Sequence, residues 1–504
     1  MTIHIDDATL EERFSKKLSH RVTTRKLVSF WDGNLEIPQG TIDLTAGMPT
    51  ARLFPINAID LHIADGPQFG EETLSVASMS LTTPPEMPIA RSFQYSETAG
   101  LPPLLEFTRN IIRTVNKPAY DNWDVLLGNG SSDSMFKLYE TICDENTTVI
   151  LEEFTFTPVI SNIQATGANC VPLKMQLSKD PAKQGLDVEY MADLLDNWST
   201  GPYQGLSKPT VLYTIATGQN PTGMTLSMDK RRQIYAIAQK HDLIIVEDDP
   251  YGYLRFPKYD QADPMRNPYV DDKTLTMQTY IDEYLMKSFM TIDTDARVVR
   301  LETFSKVFAP GVRVSFVAAN KFLIQKMLDY TEVSTRAPSG VSQAVVYSAV
   351  KQMAGPFLEE SGNDFSKASM RGWFRWVMKV AGQYTHRRNV MFKALQETEA
   401  FQKGYFSILE PSAGMFVNIR IQHAGQKQCE GKELSQVMDE LNTKLIQNRV
   451  RVVLGYKMAV DKAFSSHNCD FVRTTIAFAS DDEQLAEASR RIGGGIAQYL
   501  EAEE

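Results

Sequence analysis

The sequence feature that most constrains the fold is an alternation, from about residue 100 onward, of short apolar segments with longer amphipathic ones. The short segments are rich in Val, Ile and Leu, as is typical of strands that are covered on both faces. Between two of them, Ser227 is a candidate helix cap, and apolar residues recur at helical spacing from there toward His241. Such strand–helix–strand units predict an α/β fold with a mostly parallel sheet, in which ligands bind at the carboxyl ends of the strands. The candidate strands are residues 125–127, 149–151, 211–214, 243–247, 298–301 and 314–319.

Two segments interrupt this alternation. Residues 253–296 are polar and aromatic and contain several prolines, which predicts an excursion outside the sheet with a short helix of its own. Around residues 355–380, Met and Trp side chains recur at roughly helical spacing, which predicts a long helix between a main domain and a C-terminal one. We interpret these side chains as core packing rather than as cofactor contacts. They are Met370, Trp373, Trp376 and Met378.

The composition excludes several classes of protein. The chain has 504 residues, which predicts two or three domains at about 100–200 residues each. It carries 52 Lys and Arg against 62 Asp and Glu, a net charge of −10, which argues against nucleic acid as the main partner. No window approaches the roughly 20 consecutive apolar residues that a membrane span needs, so no membrane association is expected.

The N-terminus and the cysteines favour the cytoplasm. The first residues have neither the basic and apolar blocks of a secretory signal nor the acid-poor character of a transit peptide. The 4 cysteines are widely spread, with no Cys-x-x-Cys spacing, as expected in a reducing compartment. The 7 histidines include no His-x-x-x-His pair, and we therefore predict no metal site.

The most specific stretch is residues 305–313, Ser-Lys-Val-Phe-Ala-Pro-Gly-Val-Arg, between two predicted strands. Lys306, flanked by hydroxyl and apolar residues, is a candidate Schiff-base former, because a desolvated ammonium loses its proton more readily. Most lysines are surface charges, so the lysine alone decides nothing. Arg313 can supply a planar fork for a phosphate, and Thr303 and Ser305 offer hydroxyl donors.

Three other stretches follow predicted strands. Residues 213–223 enter a turn rich in Gly, Asn and Pro, which is equally typical of a connecting loop. Asp248 ends a strand and Tyr251 follows closely; the pair suits a heteroaromatic cofactor, although acidic residues at strand ends often only cap a helix. Residues 128–132, Gly-Asn-Gly-Ser-Ser, form a short turn that is common in α/β proteins, and Asp133 breaks the dinucleotide pattern Gly-x-Gly-x-x-Gly.

Together, in this order, these stretches resemble the active site of fold-type I pyridoxal-phosphate enzymes, specifically the class I/II aminotransferases. The resemblance runs from about Gly47 to beyond Arg473. In detail the sequence is most similar to fungal aromatic amino acid aminotransferases of the second, broad-specificity and catabolic type, which are related to kynurenine/aminoadipate aminotransferase. The segments that carry this finer resemblance are residues 46–49, 93–96, 214–223, 247–253 and 411–416.

The resemblance implies a domain organisation. A large cofactor-binding domain, residues 86–375 with the insertion 253–296, has a mostly parallel sheet of the seven-stranded type flanked by helices. A smaller α+β domain comprises residues 376–504. Residues 1–85 contribute to the small domain and to a dimer interface.

The resemblance also implies roles for individual residues at the cofactor ring. Lys306 forms the aldimine with pyridoxal 5′-phosphate, and Asp248 pairs with the pyridine nitrogen. Asn220 and Tyr251 hydrogen-bond the phenolic oxygen. Phe156 lies on the ring face, where relatives often have Tyr, so a polar contact is absent but stacking is retained.

The cofactor phosphate and the substrate have their own implied contacts. The substrate is bound by Gly47, Asn220 and Arg473. Arg473 pairs with the α-carboxylate of the substrate. Tyr95 reaches the phosphate of the partner's cofactor, which makes the homodimer part of the site. Hydroxyl and guanidinium groups hold the phosphate at a predicted helix N-terminus, with Thr303 in place of the more common serine. These phosphate-binding residues are Ser131, Ser132, Thr303, Ser305 and Arg313.

The implied activity is transamination of phenylalanine, tyrosine and tryptophan with a 2-oxo acid acceptor, in a ping-pong reaction through the Lys306 aldimine. A preference for 2-aminoadipate or kynurenine stays open, as does lyase chemistry, because related sites share the lysine, aspartate and tyrosine. A non-enzymatic regulator that senses the cofactor would need a DNA-binding module, and the short segment before Gly47 shows a basic patch but no evident helix-turn-helix.

Overall fold

The computed structural model describes residues 2–26, 36–42, 44–45, 47–66 and 74–502. Ala46, the first residue of one of the similar segments, lies outside the described residues. The strands are β1 Ala58–Ala64, β2 Leu74–Ser80, β3 Trp123–Gly128, β4 Thr148–Glu152, β5 Asn169–Leu173, β6 Met175–Gln176, β7 Gly185–Leu186, β8 Val211–Thr214, β9 Ile244–Asp248, β10 Val298–Thr303, β11 Ser315–Asn320, β12 Phe406–Leu409, β13 Phe416–Ile421, β14 Val453–Leu454 and β15 Phe471–Thr475. The α-helices are α1 Asp7–Phe14, α2 His20–Thr24, α3 Ile89–Ser92, α4 Pro102–Ile111, α5 Ser131–Ile142, α6 Thr157–Gln164, α7 Val188–Asp196, α8 Met228–Lys240, α9 Pro268–Asp271, α10 Met277–Thr279, α11 Lys321–Val333, α12 Gly340–Ala354, α13 Phe365–Gln396, α14 Glu399–Gln402, α15 Leu434–Gln447 and α16 Asp482–Leu500.

Seven strands form the central sheet, in the order β3-β11-β10-β9-β8-β4-β5. β11 runs antiparallel to both of its neighbours, and the other pairs are parallel. The predicted α/β fold with a mostly parallel seven-stranded sheet is confirmed, and each of the six candidate strands overlaps an observed one. Strand β5 was not among the candidate strands, because it contains Pro172; a proline is tolerated there since β5 lies at the sheet edge.

Both faces of this sheet are buried. Alternate strand residues enter two apolar clusters, as Leu212 and Ile245 do on one face and Tyr213 and Val246 on the other. Helix α8 shows how the sequence positions the covering helices. Ser227 Oγ accepts a hydrogen bond from the backbone N–H of Lys230 at 3.3 Å, as a helix cap does, which confirms the predicted start.

Helix α13 connects the central sheet to a second layer. Met370 and Trp373, in its first half, are buried in a cluster on the central sheet, whereas Met391 and Leu395, near its end, belong to another cluster. That second cluster includes strands of the sheet β12-β13-β15-β14 and helices α15 and α16. The predicted long helix and the packing role of its Met and Trp side chains are therefore confirmed, while the proposed domain limits stay a prediction.

The described N-terminal residues include elements that pack on the central sheet and on α12. Leu10 and Phe14 of α1 are buried in the cluster on the central sheet, and β1 and β2 contact α12. Helix α1 also lies against α11. The contribution of residues 1–85 to the small domain and to a dimer interface stays a prediction.

The segment 253–296 lies outside the central sheet, as predicted. It carries α9, α10 and a π-helix at Tyr280–Tyr284. Its Tyr269, Tyr280 and Tyr284 rings contact one another, with centroids 5.7–5.8 Å apart. The segment packs on α13. None of the helices in the described ranges has the length and apolarity needed to cross a bilayer.

Candidate active site

A cavity of about 150 Å³ lies at the edge of the sheet where β9 and β10 end. The strands β3, β4, β8, β9 and β10 all end at this edge, because β3 and β10 flank the antiparallel β11. A larger groove of about 750 Å³ lies near the amino end of β3, and no predicted site residue lines it. The predicted residues that line the smaller cavity are Ser131, Ser132, Phe156, Asp248, Tyr251, Thr303, Ser305, Lys306 and Arg313.

Asp248 is the last residue of β9 and is buried. Its Oδ2 accepts a hydrogen bond from Tyr213 Oη at 2.7 Å, while its Oδ1 is buried and has no partner among the described residues. Burial raises the pKa of Asp248 to about 7, although the hydrogen bond from Tyr213 acts in the opposite direction. The carboxyl group is therefore held by one oxygen and open to a donor at the other.

Lys306 follows β10 and lies beside the same cavity. Burial, and next the positive charge of Arg313, lower the pKa of Lys306, and the Asp248 carboxylate partly opposes this. A lowered pKa makes the unprotonated amine more accessible, which is the form that acts as a nucleophile or a base.

Residues on two turns form an anion cradle at the other side of the cavity. Gly130 has φ 90°, a backbone conformation that favours glycine, and the guanidinium of Arg313 occupies the space that a Cβ would take, so a side chain here would displace the arginine. Arg313 itself has φ 50°, a conformation that costs about 1–3 kcal/mol in a non-glycine residue. Ser131 begins α5, whose first N–H groups have no partner within the helix. Helix end, hydroxyls and guanidinium together suit a phosphate.

Arg473 approaches the site from the second sheet. Its Nη1 donates to Asn220 Oδ1 at 2.9 Å, and its guanidinium carbon lies 4.6 Å from the centroid of the Phe416 ring. The Phe416 ring in turn meets Tyr251 edge to face, with centroids 5.6 Å apart. Arg473 Nε is buried without a partner among the described residues. This arginine therefore retains donor capacity beside Tyr251 and Asn220.

Two predicted residues lie elsewhere. The Tyr95 side chain is 68% exposed and does not line the cavity. Gly47 is exposed, and among the described residues beyond its chain neighbours no atom lies within 4 Å of the position that its Cβ would take. Within one chain, the structure does not bring these two residues to the cofactor cavity, and their roles stay predictions.

Two buried residues that were not predicted from the sequence support this site from behind. Glu152 is fully buried and accepts hydrogen bonds from Thr214 Oγ1 at 2.7 Å and Gln219 Nε2 at 3.0 Å, which braces the turn that carries Asn220. Burial raises the pKa of Glu152 to about 7. Tyr213 was also missed, although its place near the end of the strand beside β9 is a usable signal.

A cavity at the carboxyl edge of a mostly parallel sheet is the usual ligand site of an open α/β fold. The match to the aminotransferase family and to a solved aminotransferase structure identifies this fold as that of the fold-type I pyridoxal-phosphate enzymes. The family model "Aminotransferase class I and II" matches residues 90–492, and the chain belongs to this family. Pyridoxal phosphate, the cofactor of the family, is therefore its cofactor, as predicted.

Several known proteins are similar over most of their length. Aromatic amino acid aminotransferase 2 of Saccharomyces cerevisiae is 54% identical, over 99% of this chain and 98% of that protein. The L-tyrosine:2-oxoglutarate aminotransferase atrD of Tapinella panuoides is 30% identical, over 80% of this chain and 74% of that protein. The crystal structure of the aromatic aminotransferase Aro9 from C. albicans superposes with a TM-score of 0.85 at 34% identity, covering 97% of this chain and 98% of that one. The predicted family is thus confirmed.

The residues of the cavity fit this cofactor. The unpartnered Oδ1 of Asp248 suits the N–H of a protonated pyridine ring. The cradle formed by Gly130, the start of α5 and Arg313 suits a phosphate. Lys306, with its lowered pKa, suits the aldehyde.

Proposed function

We propose that the protein transfers the amino group of phenylalanine, tyrosine and tryptophan to a 2-oxo acid in a ping-pong reaction. The observation that carries the proposal is the convergence of Lys306 and Asp248 on one cavity with an anion cradle. The family and the whole-length similarity to a yeast aromatic amino acid aminotransferase support the aromatic donors. A 2-oxoglutarate acceptor is named for two relatives and suits the second half of the reaction.

In this proposal each residue around the ring has one task. When bound, the cofactor delocalises the electron pair that is left at the substrate's α-carbon after proton removal. Asp248 Oδ1 holds the proton on the ring nitrogen, and Lys306 Nζ takes the proton from the α-carbon and returns it. Asn220 and Tyr251 hold the phenolic oxygen, and Phe156 covers the ring face. The phosphate is held by Ser131, Ser132, Thr303, Ser305 and Arg313.

Arg473 is the proposed partner of the substrate's α-carboxylate, with the backbone of Gly47 nearby. A carboxylate matches the planar fork of a guanidinium, and Arg473 has a buried Nε without a partner in the described part of the chain. Phe416 beneath the guanidinium and Asn220 beside it restrict its orientation. A fixed carboxylate holds the α-carbon in a position from which Lys306 can take its proton.

A half-reaction tests the function. Holoenzyme is mixed with phenylalanine in the absence of any oxo acid, and the visible absorbance of the cofactor and the released acid are followed. We expect one equivalent of phenylpyruvate per site. Conversion by glutamate or 2-aminoadipate but not by phenylalanine would refute the aromatic preference and leave the aminotransferase intact. Conversion by no amino acid would favour a lyase or a cofactor sensor.

Replacement of Arg473 by lysine tests the carboxylate site. Lysine retains the charge but not the planar fork, so we expect kcat/KM for phenylalanine to fall by about 10- to 100-fold. For phenylethylamine, which has no carboxylate, kcat/KM should not change. Arg420→Lys is the matched control, because Arg420 lies on the neighbouring strand and its Nη2 pairs with Asp470 at 2.7 Å. Unchanged efficiency with phenylalanine in Arg473→Lys would show that another group binds the carboxylate.

We also propose a homodimer in which Tyr95 reaches the cofactor phosphate of the partner. Its support is a set of exposed apolar side chains in the N-terminal segment, since monomers rarely expose many of them together. Sedimentation should give twice the chain mass, and Tyr95→Phe should weaken cofactor binding by about 10-fold. A monomeric holoenzyme would contradict this proposal. The exposed side chains include Ile37, Ile42, Leu44, Met48 and Leu53.

The cytoplasm is the proposed location. The four cysteines are all free, as expected where thiols stay reduced. Cell fractionation with an antibody to the protein would test this, and recovery with an organelle would contradict it.

A further inference from the structure

We propose that Tyr213 is a positioning residue for the reaction: its hydroxyl fixes the carboxylate of Asp248 so that Oδ1 faces the cofactor's ring nitrogen. The inference rests on the proposed function, because it assumes that Asp248 pairs with that nitrogen. Tyr213 Oη donates to Asp248 Oδ2 at 2.7 Å, and among the described residues Oδ1 has no partner. The two oxygens of one carboxylate are thus divided between the protein and the cavity.

The sheet register explains why this tyrosine reaches this aspartate. β8 and β9 are adjacent and parallel, with Tyr213 opposite Val246. Opposed residues of neighbouring strands point to the same face, and Asp248, two residues after Val246, points there too. The tyrosine ring is fully buried in the cluster on this face, so the hydroxyl has little freedom to move away.

The contact also has an electrostatic effect. Burial disfavours the charged form of Asp248, and the phenol hydrogen bond is the largest opposing influence on its pKa. Burial and the Asp248 charge raise the pKa of Tyr213 well above its ordinary value, so the phenol keeps the proton that it donates. A carboxylate that stays ionised can keep the ring nitrogen protonated, which the electron-withdrawing role of the cofactor requires.

A purely packing role for Tyr213 is the alternative, and the chain offers a matched control for it. Tyr139 is equally buried in the same cluster, but its hydroxyl has no hydrogen-bond partner in the described structure. Tyr139→Phe and Tyr213→Phe delete the same atom from two buried rings. Only the second deletion removes a donor from Asp248.

The test compares the two variants as holoenzymes by three measurements. For Tyr213→Phe we expect the dissociation constant of pyridoxal phosphate, from dilution of the holoenzyme, to rise about 10- to 100-fold. The ¹⁵N resonance of ring-labelled cofactor should move toward the unprotonated position, and kcat for phenylalanine should fall while KM changes little. Tyr139→Phe should match the wild-type protein in all three. In an Asp248→Asn background, Tyr213→Phe should weaken binding far less, because the charged acceptor is gone.

Several outcomes would overturn the proposal. Wild-type affinity and an unshifted ¹⁵N resonance in Tyr213→Phe would show that the hydroxyl does not act on Asp248. Equal impairment in both variants would indicate packing alone. If Tyr213→Phe fails to fold, the double variant with Asp248→Asn must restore folding, and a failure to do so also refutes the proposal. A wild-type protein that binds no pyridoxal phosphate would instead refute the proposed function.

Discussion

In the Lys306→Ala protein we expect transamination to be lost, with kcat lower by at least about 10⁴-fold. Lys306 is the lysine that lines the cavity beside Asp248, and its pKa is lowered by burial and by Arg313. Alanine removes both the group that bonds to the cofactor's aldehyde and the base that moves the α-proton. The measurement is steady-state turnover of phenylalanine with 2-oxoglutarate.

Cofactor binding and a second lysine provide the controls for this variant. Asp248 and the Gly130–Arg313 cradle are unchanged, so the variant should still bind pyridoxal phosphate noncovalently. Lys321→Ala, an exposed lysine at the start of α11, should retain full activity. Substantial turnover by Lys306→Ala would refute the assignment of this lysine.

Asp248→Asn should make the cofactor-free protein more stable at pH 8 while it abolishes most of the activity. Burial raises the pKa of Asp248 from an ordinary value of 3.8 to about 7. Between these two values the folded chain binds a proton that the unfolded chain does not, so stability falls as pH rises through that window. Ionisation of Asp248 thus lowers the free energy of unfolding by about 4 kcal/mol, and this loss is complete above pH 7. Asparagine carries no charge and avoids this loss.

Urea unfolding of both cofactor-free proteins at pH 5 and pH 8 measures the effect. We expect the advantage of the variant in the free energy of unfolding to be larger at pH 8 by about 2–3 kcal/mol. Asp293 also has a pKa raised to about 7, but it is present in both proteins and cancels in the difference. The pKa of Glu152 is raised to about 7 by burial and, to a lesser extent, by the Asp248 charge, so loss of that charge lowers the Glu152 pKa and adds to the advantage of the variant at pH 8. An advantage that is equal at the two pH values would contradict the prediction.

In the holoenzymes of the same two proteins we expect the order of stability to be reversed. With pyridoxal phosphate bound, Asp248 faces a protonated ring nitrogen in our proposal, so ionisation becomes favourable and the wild-type protein should be the more stable one. Turnover by Asp248→Asn should be lower by about 10²-fold or more, because the ring proton is no longer held. A carboxylate that destabilises the empty fold and serves the loaded site is a stability–activity trade-off.

Much of the fold follows from local patterns that a single sequence shows. The apolar segments around residues 211–214 and 243–247 form adjacent parallel strands. Strands that are apolar on both faces are favoured in a parallel sheet, because helices cover both of its faces. Ser227 caps α8 through a contact three residues away. Parallel strands end at one edge, so Asp248 at the end of β9 and Lys306 after β10 line one cavity, as the family resemblance implied.

Other features depend on how distant segments meet. Arg473 contacts Asn220, which is 253 residues earlier, and neither local pattern indicates the other. Tyr213 contacts Asp248 because of the register between β8 and β9, and α1 packs in the cluster on the central sheet. Residue type and short-range spacing indicate which helices and strands form and which side chains are candidates for the active site. The pairing of those groups depends on strand order, register and the path of the chain, because long-range contacts form only once the whole core has packed.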